Sequence, residues 1–145
     1  VGYNFRLPNI LAALGLAQLE SLSKYIKKKK IIHERYKKKI NKIKYLSISN
    51  TPYYASCNCW LNILEINKNL SKKRLSKIIK YFSKNNIEVR PLWHPNHLQK
   101  KYKNCQTYKL DKINNIYKNR LCLPSSPQLT RDQQSFICKK LKNIL

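Results

Sequence analysis

The sequence predicts an α/β domain, with one long helix leading into a small mixed sheet that carries packed helices. Three observations predict it. Apolar residues keep helical spacing from Leu11 to Ile43, with neither Gly nor Pro between Leu16 and Thr51. The period then drops to two. Beyond residue 70, helical stripes and short apolar alternations take turns along the chain, the pattern of helices layered on a sheet.

Pro8 suits a first helical position, where its missing N–H leaves no bond unmade. Leu11, Leu14, Gly15, Leu19, Leu22 and Ile26 make the first apolar stripe. Ile32, Tyr36, Ile40 and Ile43 continue it, so a helix, bent or straight, is expected from about Pro8 to Lys42. Leu46 and Ile48 alternate with serines as a short strand. From Tyr54 to Ile66 the alternation is long. Both of its faces look apolar, which predicts a central strand covered on both sides. Ser71 can cap a helix carrying Leu75, Ile78, Ile79 and Phe82, and Asn85-Asn86 ends it. Ile87 to Trp93 reads as a strand closed by Pro91 and Pro95, and Leu110, Ile113 and Tyr117 as a further helix. Leu121-Cys122-Leu123 is a strand stopped by Pro124. Thr130 with Gln133 forms a capping box for a last helix that faces Ile137, Leu141 and Ile144 inward. The expected division is a connecting helix over 1–43 and a small α/β domain over 44–145.

The net charge is +25, carried by 25 Lys against 6 Arg and accompanied by 16 Asn and 16 Ile. Such a balance admits a lysine-rich module that binds RNA or anionic surfaces. Its signature would be binding that weakens steeply with salt. Bidentate recognition of bases and phosphates favours Arg, however. Lys, Asn and Ile together match the bias of an AT-rich coding sequence. The lysines also fall on polar helix faces, where solvation is the usual role. Nucleic acid is therefore not the expected partner. No run of eighteen apolar residues marks a membrane span, and no secretion signal is present. The five cysteines form no even framework, and Cys57, Cys59, Cys122 and Cys138 read as small buried hydrophobes. A reducing, cytoplasmic setting follows. The chain starts at Val1 and contains no methionine, so it is expected to be a piece of something longer.

Two stretches carry candidate chemistry. Tyr3, Asn4 and Arg6 precede the first helix on a loop that a rigid element would carry, a common place for binding residues. His94 and His97 lie in a Pro-bounded loop after a strand, where they could meet a hydroxylated ligand or simply bond to backbone. A zinc site from Cys57, Cys59, His94 and His97 has no recognised closed-site spacing, so no metal is expected.

The literal strings narrow this reading. Gly-Tyr-Asn-Phe-Arg-Leu-Pro-Asn-Ile-Leu-Ala-Ala-Leu-Gly-Leu-Ala-Gln-Leu-Glu, Gly2 to Glu20, resembles a signature of the DegT/DnrJ/StrS family of pyridoxal-phosphate-dependent sugar-nucleotide aminotransferases. Arg90-Pro91-Leu92-Trp93 with His97-Leu98 resembles members that aminate UDP-linked 4-keto sugars on bacillosamine and legionaminic acid routes. Cys59-Trp60-Leu61-Asn62 and Leu121-Cys122-Leu123-Pro124-Ser125-Ser126 are similar to the same subgroup, with Cys59 replacing an expected aromatic residue. The resemblance implies the C-terminal segment of a fold-type I enzyme that transfers an amino group, from glutamate, to a keto group of a nucleotide-linked sugar. It implies a homodimer with shared active sites. Asn4 would reach the phosphate of the partner subunit's cofactor with Arg6 nearby, and His97 and Tyr3 would lie near the substrate. The Schiff-base lysine of the family falls upstream of the Gly-Tyr-Asn motif. No catalytic residue is therefore assigned in this chain, which is expected to be inactive alone.

Overall fold

The computed structural model describes residues 3, 5–68, 71–110 and 112–144. Among the described residues five α-helices and four strands follow one another: α1 (Asn9–Glu20), α2 (Leu22–Ile40), β1 (Leu46–Ile48), β2 (Asn62–Ile66), α3 (Lys72–Lys84), β3 (Arg90–Pro91), α4 (Ile113–Ile116), β4 (Arg120–Leu123) and α5 (Arg131–Ile144). The expected long helix is present as two. Ser21, a turn residue still in the right-handed region at φ −92° and ψ −4°, separates α1 from α2. Pro8 sits one position before α1, in extended geometry, and its carbonyl accepts from the Ala12 N–H.

The strands form one sheet in the order β1-β2-β4-β3. Every neighbouring pair is antiparallel, so the expected mixed sheet is antiparallel throughout. β2 and β3 nevertheless run in the same direction, because both pair with β4 from opposite sides. The β2–α3–β3 connection thus has β4 inserted between its strands, a split crossover.

Register puts Leu46 opposite Ile66, Ile48 opposite Leu64 and Leu64 opposite Leu121. The side chains of these residues all fall on one face and are buried. Against that face pack Ile32, Tyr36 and Ile40 of α2, Ile78 and Phe82 of α3, and Ile137 and Leu141 of α5. The other face differs from expectation. It carries Ser47, Glu65 and Arg120, with Arg120 Nη2 2.7 Å from Glu65 Oε1 and Ser49 Oγ donating to the same oxygen at 2.6 Å. Burial works to raise the Glu65 pKa, but these hydrogen bonds and the Arg120 charge outweigh it and hold the carboxyl below its ordinary range.

Capping follows the sequence closely. Ser71 Oγ accepts from the Arg74 N–H, and the Thr130/Gln133 pair closes a reciprocal box at 2.9 and 3.2 Å. Asn86 leaves α3 at φ 56°, a left-handed stop that asparagine tolerates. Three elements are shorter than expected. The strand foreseen from Tyr54 begins only at Asn62, because Asn58 Oδ1 takes the Trp60 N–H at 3.0 Å and Cys59 turns to φ 53°. β3 is limited to Arg90–Pro91, on the sheet edge where a proline costs no ladder bond. The helix foreseen around Leu110 is a single turn followed by a 3₁₀ turn over Tyr117–Asn119.

Candidate functional site

A cavity of ≈ 780 Å³ opens beside β3 and β4. Most of its wall comes from three stretches that lie far apart in the chain, with Leu75, Glu88, Tyr117 and Lys118 completing it. Trp60 and Leu61 come from the loop entering β2, Arg90 to His94 from β3 and its exit, and Cys122 to Ser125 from β4 and the turn after it. The lining is largely aliphatic and aromatic, with a few polar groups at the rim, the usual character of a small-molecule site.

Trp60 and Trp93 face each other across the mouth, ring centroids 5.6 Å apart and tilted by 30°. They are 62% and 60% exposed, so much of each side chain remains accessible to a ligand. At the rim, Arg90 Nε donates to Glu88 Oε1 at 2.7 Å, and His94 meets the Tyr117 ring edge-on at 5.9 Å.

Two groups behind the wall fix its shape. Lys29, reaching over from α2, donates to the Trp60 carbonyl at 2.9 Å and to the Ser125 carbonyl at 2.7 Å. Burial draws its ammonium below the ordinary lysine range, with the neighbouring Cys59 thiol opposing. Asn62 is fully enclosed. Its N–H and its Nδ2 both donate to Ser125 Oγ at 2.9 Å, and Ser125 Oγ donates to the Leu123 carbonyl at 2.8 Å. That sequence of donors leaves Asn62 Oδ1 to accept from His33 Nδ1 at 2.9 Å. The imidazole therefore carries its proton on Nδ1. Tyr36 completes the support by donating to the Pro124 carbonyl at 3.1 Å.

The residues singled out from sequence are distributed unevenly around this cavity. His94 is on its rim. His97 instead lines a separate depression of ≈ 450 Å³ with Pro95, Tyr102 and Tyr108. Tyr3 and Arg6 line neither, and both are exposed ahead of α1. Asn4 lies outside the described residues. Cys57 corrects its expected burial: it is exposed, whereas Cys59, Cys122 and Cys138 are buried thiols. Burial pushes all three upward in pKa. Among the described residues no three His, Cys, Asp or Glu side chains gather as a metal site, and no helix is long and apolar enough to cross a membrane.

Spacing alone did not point to Trp60, Trp93, Lys29 or Ser125 as one site. The available signal was the set of quoted strings, Cys59–Asn62, Arg90–Trp93 with His97-Leu98, and Leu121–Ser126; parts of each line this cavity, whereas His97 lines the separate depression.

Comparison with known proteins places the chain in a family. The chain is 33% identical over 150 residues to EpsN of Bacillus subtilis (strain 168), whose name gives it provisionally as a pyridoxal phosphate-dependent aminotransferase. The match takes in 99% of this chain and 37% of EpsN. It is 32% identical to the GDP-perosamine synthase of Vibrio cholerae, over 99% of this chain and 39% of that protein. Its fold matches Helicobacter pylori PseC, an aminotransferase involved in the biosynthesis of pseudoaminic acid, with a TM-score of 0.82 at 20% identity. That superposition covers 99% of this chain and 39% of PseC. The chain thus spans well under half the length of the proteins it resembles. The sequence profile of the DegT/DnrJ/EryC1/StrS aminotransferases matches residues 1–142, and the chain belongs to that family.

Proposed function

We propose that this chain is the C-terminal portion of a pyridoxal-phosphate-dependent aminotransferase that moves an amino group from glutamate to a keto group on a nucleotide-linked sugar. One observation carries the reading. Parts of three strings that resemble the sugar-nucleotide enzymes, separated in sequence by about thirty residues each, line one cavity with two exposed indoles at its rim. Indole faces suit sugar C–H surfaces and nucleobase rings alike. The Arg90–Leu98 string favours a UDP-linked substrate. Two of the relatives quoted above bear on the chemistry by name, one through the cofactor and one through a GDP-sugar product.

The described residues do not by themselves make a cofactor site. Lys29, the lysine drawn below its ordinary range, is held by two carbonyls and is not a free amine. No chemical step is therefore assigned to this chain. What it contributes is positional. Asn4 and Arg6 would present donors to a cofactor phosphate across a homodimer interface, Tyr3 would pack beside them, and His97 would approach the substrate from the neighbouring depression. The 1–43 and 44–145 division and a cytoplasmic location belong to the same proposal.

Trp60 and Trp93 are the chain's only tryptophans, so selectively excited tryptophan emission reports on the cavity mouth. Titration with UDP-linked and GDP-linked N-acetyl or deoxy sugars should change emission saturably, and Trp93→Phe should weaken the response. Emission that stays flat to millimolar ligand would overturn the assignment.

A further inference from the structure

The loop that delivers Trp60 to the cavity carries two thiols whose arrangement the aminotransferase reading leaves unused. Cys57 is exposed and Cys59 is buried. The Cys59 N–H donates to Cys57 Sγ at 3.2 Å, so the Cys57 side chain curls forward over the residue that bears the second thiol. The Cys59 sulfur in turn lies 4.0 Å from the Cys57 carbonyl oxygen. Cys59 holds φ 53°, a left-handed turn that folds the two residues toward each other instead of setting them along an extended strand. We propose that Cys57 and Cys59 form a reversible thiol–disulfide site that reacts with small-molecule disulfides of the glutathione type.

The exposed thiol meets the oxidant first, and the buried one, at the edge of a depression shared with Lys30, His33 and Glu34, is the less accessible of the two. That is the usual layout of a sensor cysteine beside its resolving partner. Cys57, as thiolate, attacks one sulfur of oxidised glutathione. The S–S bond of glutathione breaks, a Cys57–glutathione disulfide forms, and one glutathione leaves as thiolate. Cys59 then attacks Cys57 Sγ, displacing the second glutathione. The two protons of the protein thiols end on the two glutathiones, so one disulfide is reduced as one is made. The ring closed across a single intervening residue is short and strained. A bond of that kind is readily reduced and serves as a switch more than as a staple. Cys59 adjoins Trp60, whose carbonyl is tied to Lys29 and whose ring lies 5.6 Å from that of Trp93. Closing the ring alters the turn at Cys59 and shifts the indole at the cavity mouth.

The test uses Cys105→Ser chain, which removes the other exposed thiol. After treatment with oxidised glutathione, mass spectrometry should show the loss of two hydrogens, and thiol titration two fewer thiols. Dithiothreitol should reverse both, and tryptophan emission should move and recover with them. Cys57→Ser should abolish the change, and Cys59→Ser should leave a lasting glutathione adduct on Cys57. A lasting adduct with both cysteines present, a loss of two hydrogens that survives Cys57→Ser, no reaction, or closure without any change in emission would each overturn the proposal.

Discussion

α1 and α3 are helices of similar length with opposite fates. α3 buries Ile78 and Phe82 completely against the sheet. α1 buries nothing: Leu11, Leu14 and Leu19 are 54%, 58% and 64% exposed. Its apolar residues surround the helix instead of forming one stripe, and a methyl added at Gly15 would meet nothing within 4 Å. A helix apolar on all sides is a buried helix by composition. The difference teaches that the chain encodes two kinds of surface. One is satisfied within residues 22–144. The other is suited to a surface that the described residues do not supply, in a family whose quoted members are more than twice as long.

The sharpest test of that comparison is a pair of truncations. Phe82→Ala should lower the unfolding free energy by about 3–5 kcal/mol, measured by urea titration. Leu14→Ala in the same chain should stay within about 0.5 kcal/mol. Equal losses would break the comparison.

Next in size is the polar face of the sheet. Arg120→Ala removes charge-assisted hydrogen bonds to Glu65 and should cost about 1–3 kcal/mol at neutral pH. The folded pKa of Glu65 lies below its unfolded value. Its contribution is therefore complete above the ordinary carboxylate range and is lost as pH falls through the depressed folded value. The gap between wild type and Arg120→Ala should shrink in acid, and a gap that widens there would be contrary to this account.

Thr130→Ala opens the capping box of α5 and should cost about 0.5–2 kcal/mol by thermal unfolding. The smallest expected effect has the opposite sign. Gly15→Ala relieves a helical glycine in open space and should stabilise α1 by up to about 1 kcal/mol, read from its helical circular dichroism. A loss there would place a close neighbour at Gly15.

Legibility in the sequence followed locality. Ser71, Asn85-Asn86 and the Thr130/Gln133 box act within a few residues of themselves, and each was readable. The Tyr54–Ile66 stretch was misread because alternation in a loop looks the same as alternation in a strand. Only the turn at Asn58-Cys59 separates them, and a left-handed cysteine leaves no compositional mark. Antiparallel pairing was hidden for a related reason. Interleaved helices and strands suggest parallel neighbours, yet β4 arrives from the far end of the chain to separate β2 from β3. The cavity needed that same insertion, so Trp60, Trp93 and Ser125 could be quoted as strings but not assembled. Lys29 was one of a run of lysines until its reach to two carbonyls distinguished it.

Under the proposed function this chain would supply walls and phosphate donors to an aminotransferase site whose Schiff-base lysine is not among its own. Incubation with pyridoxal phosphate, reduction with borohydride and peptide mapping test it most directly. The account predicts scattered, substoichiometric adducts over the many exposed lysines, with Lys29 protected by the Trp60 and Ser125 carbonyls. One adduct per chain at a single lysine, Lys29 above all, would contradict it.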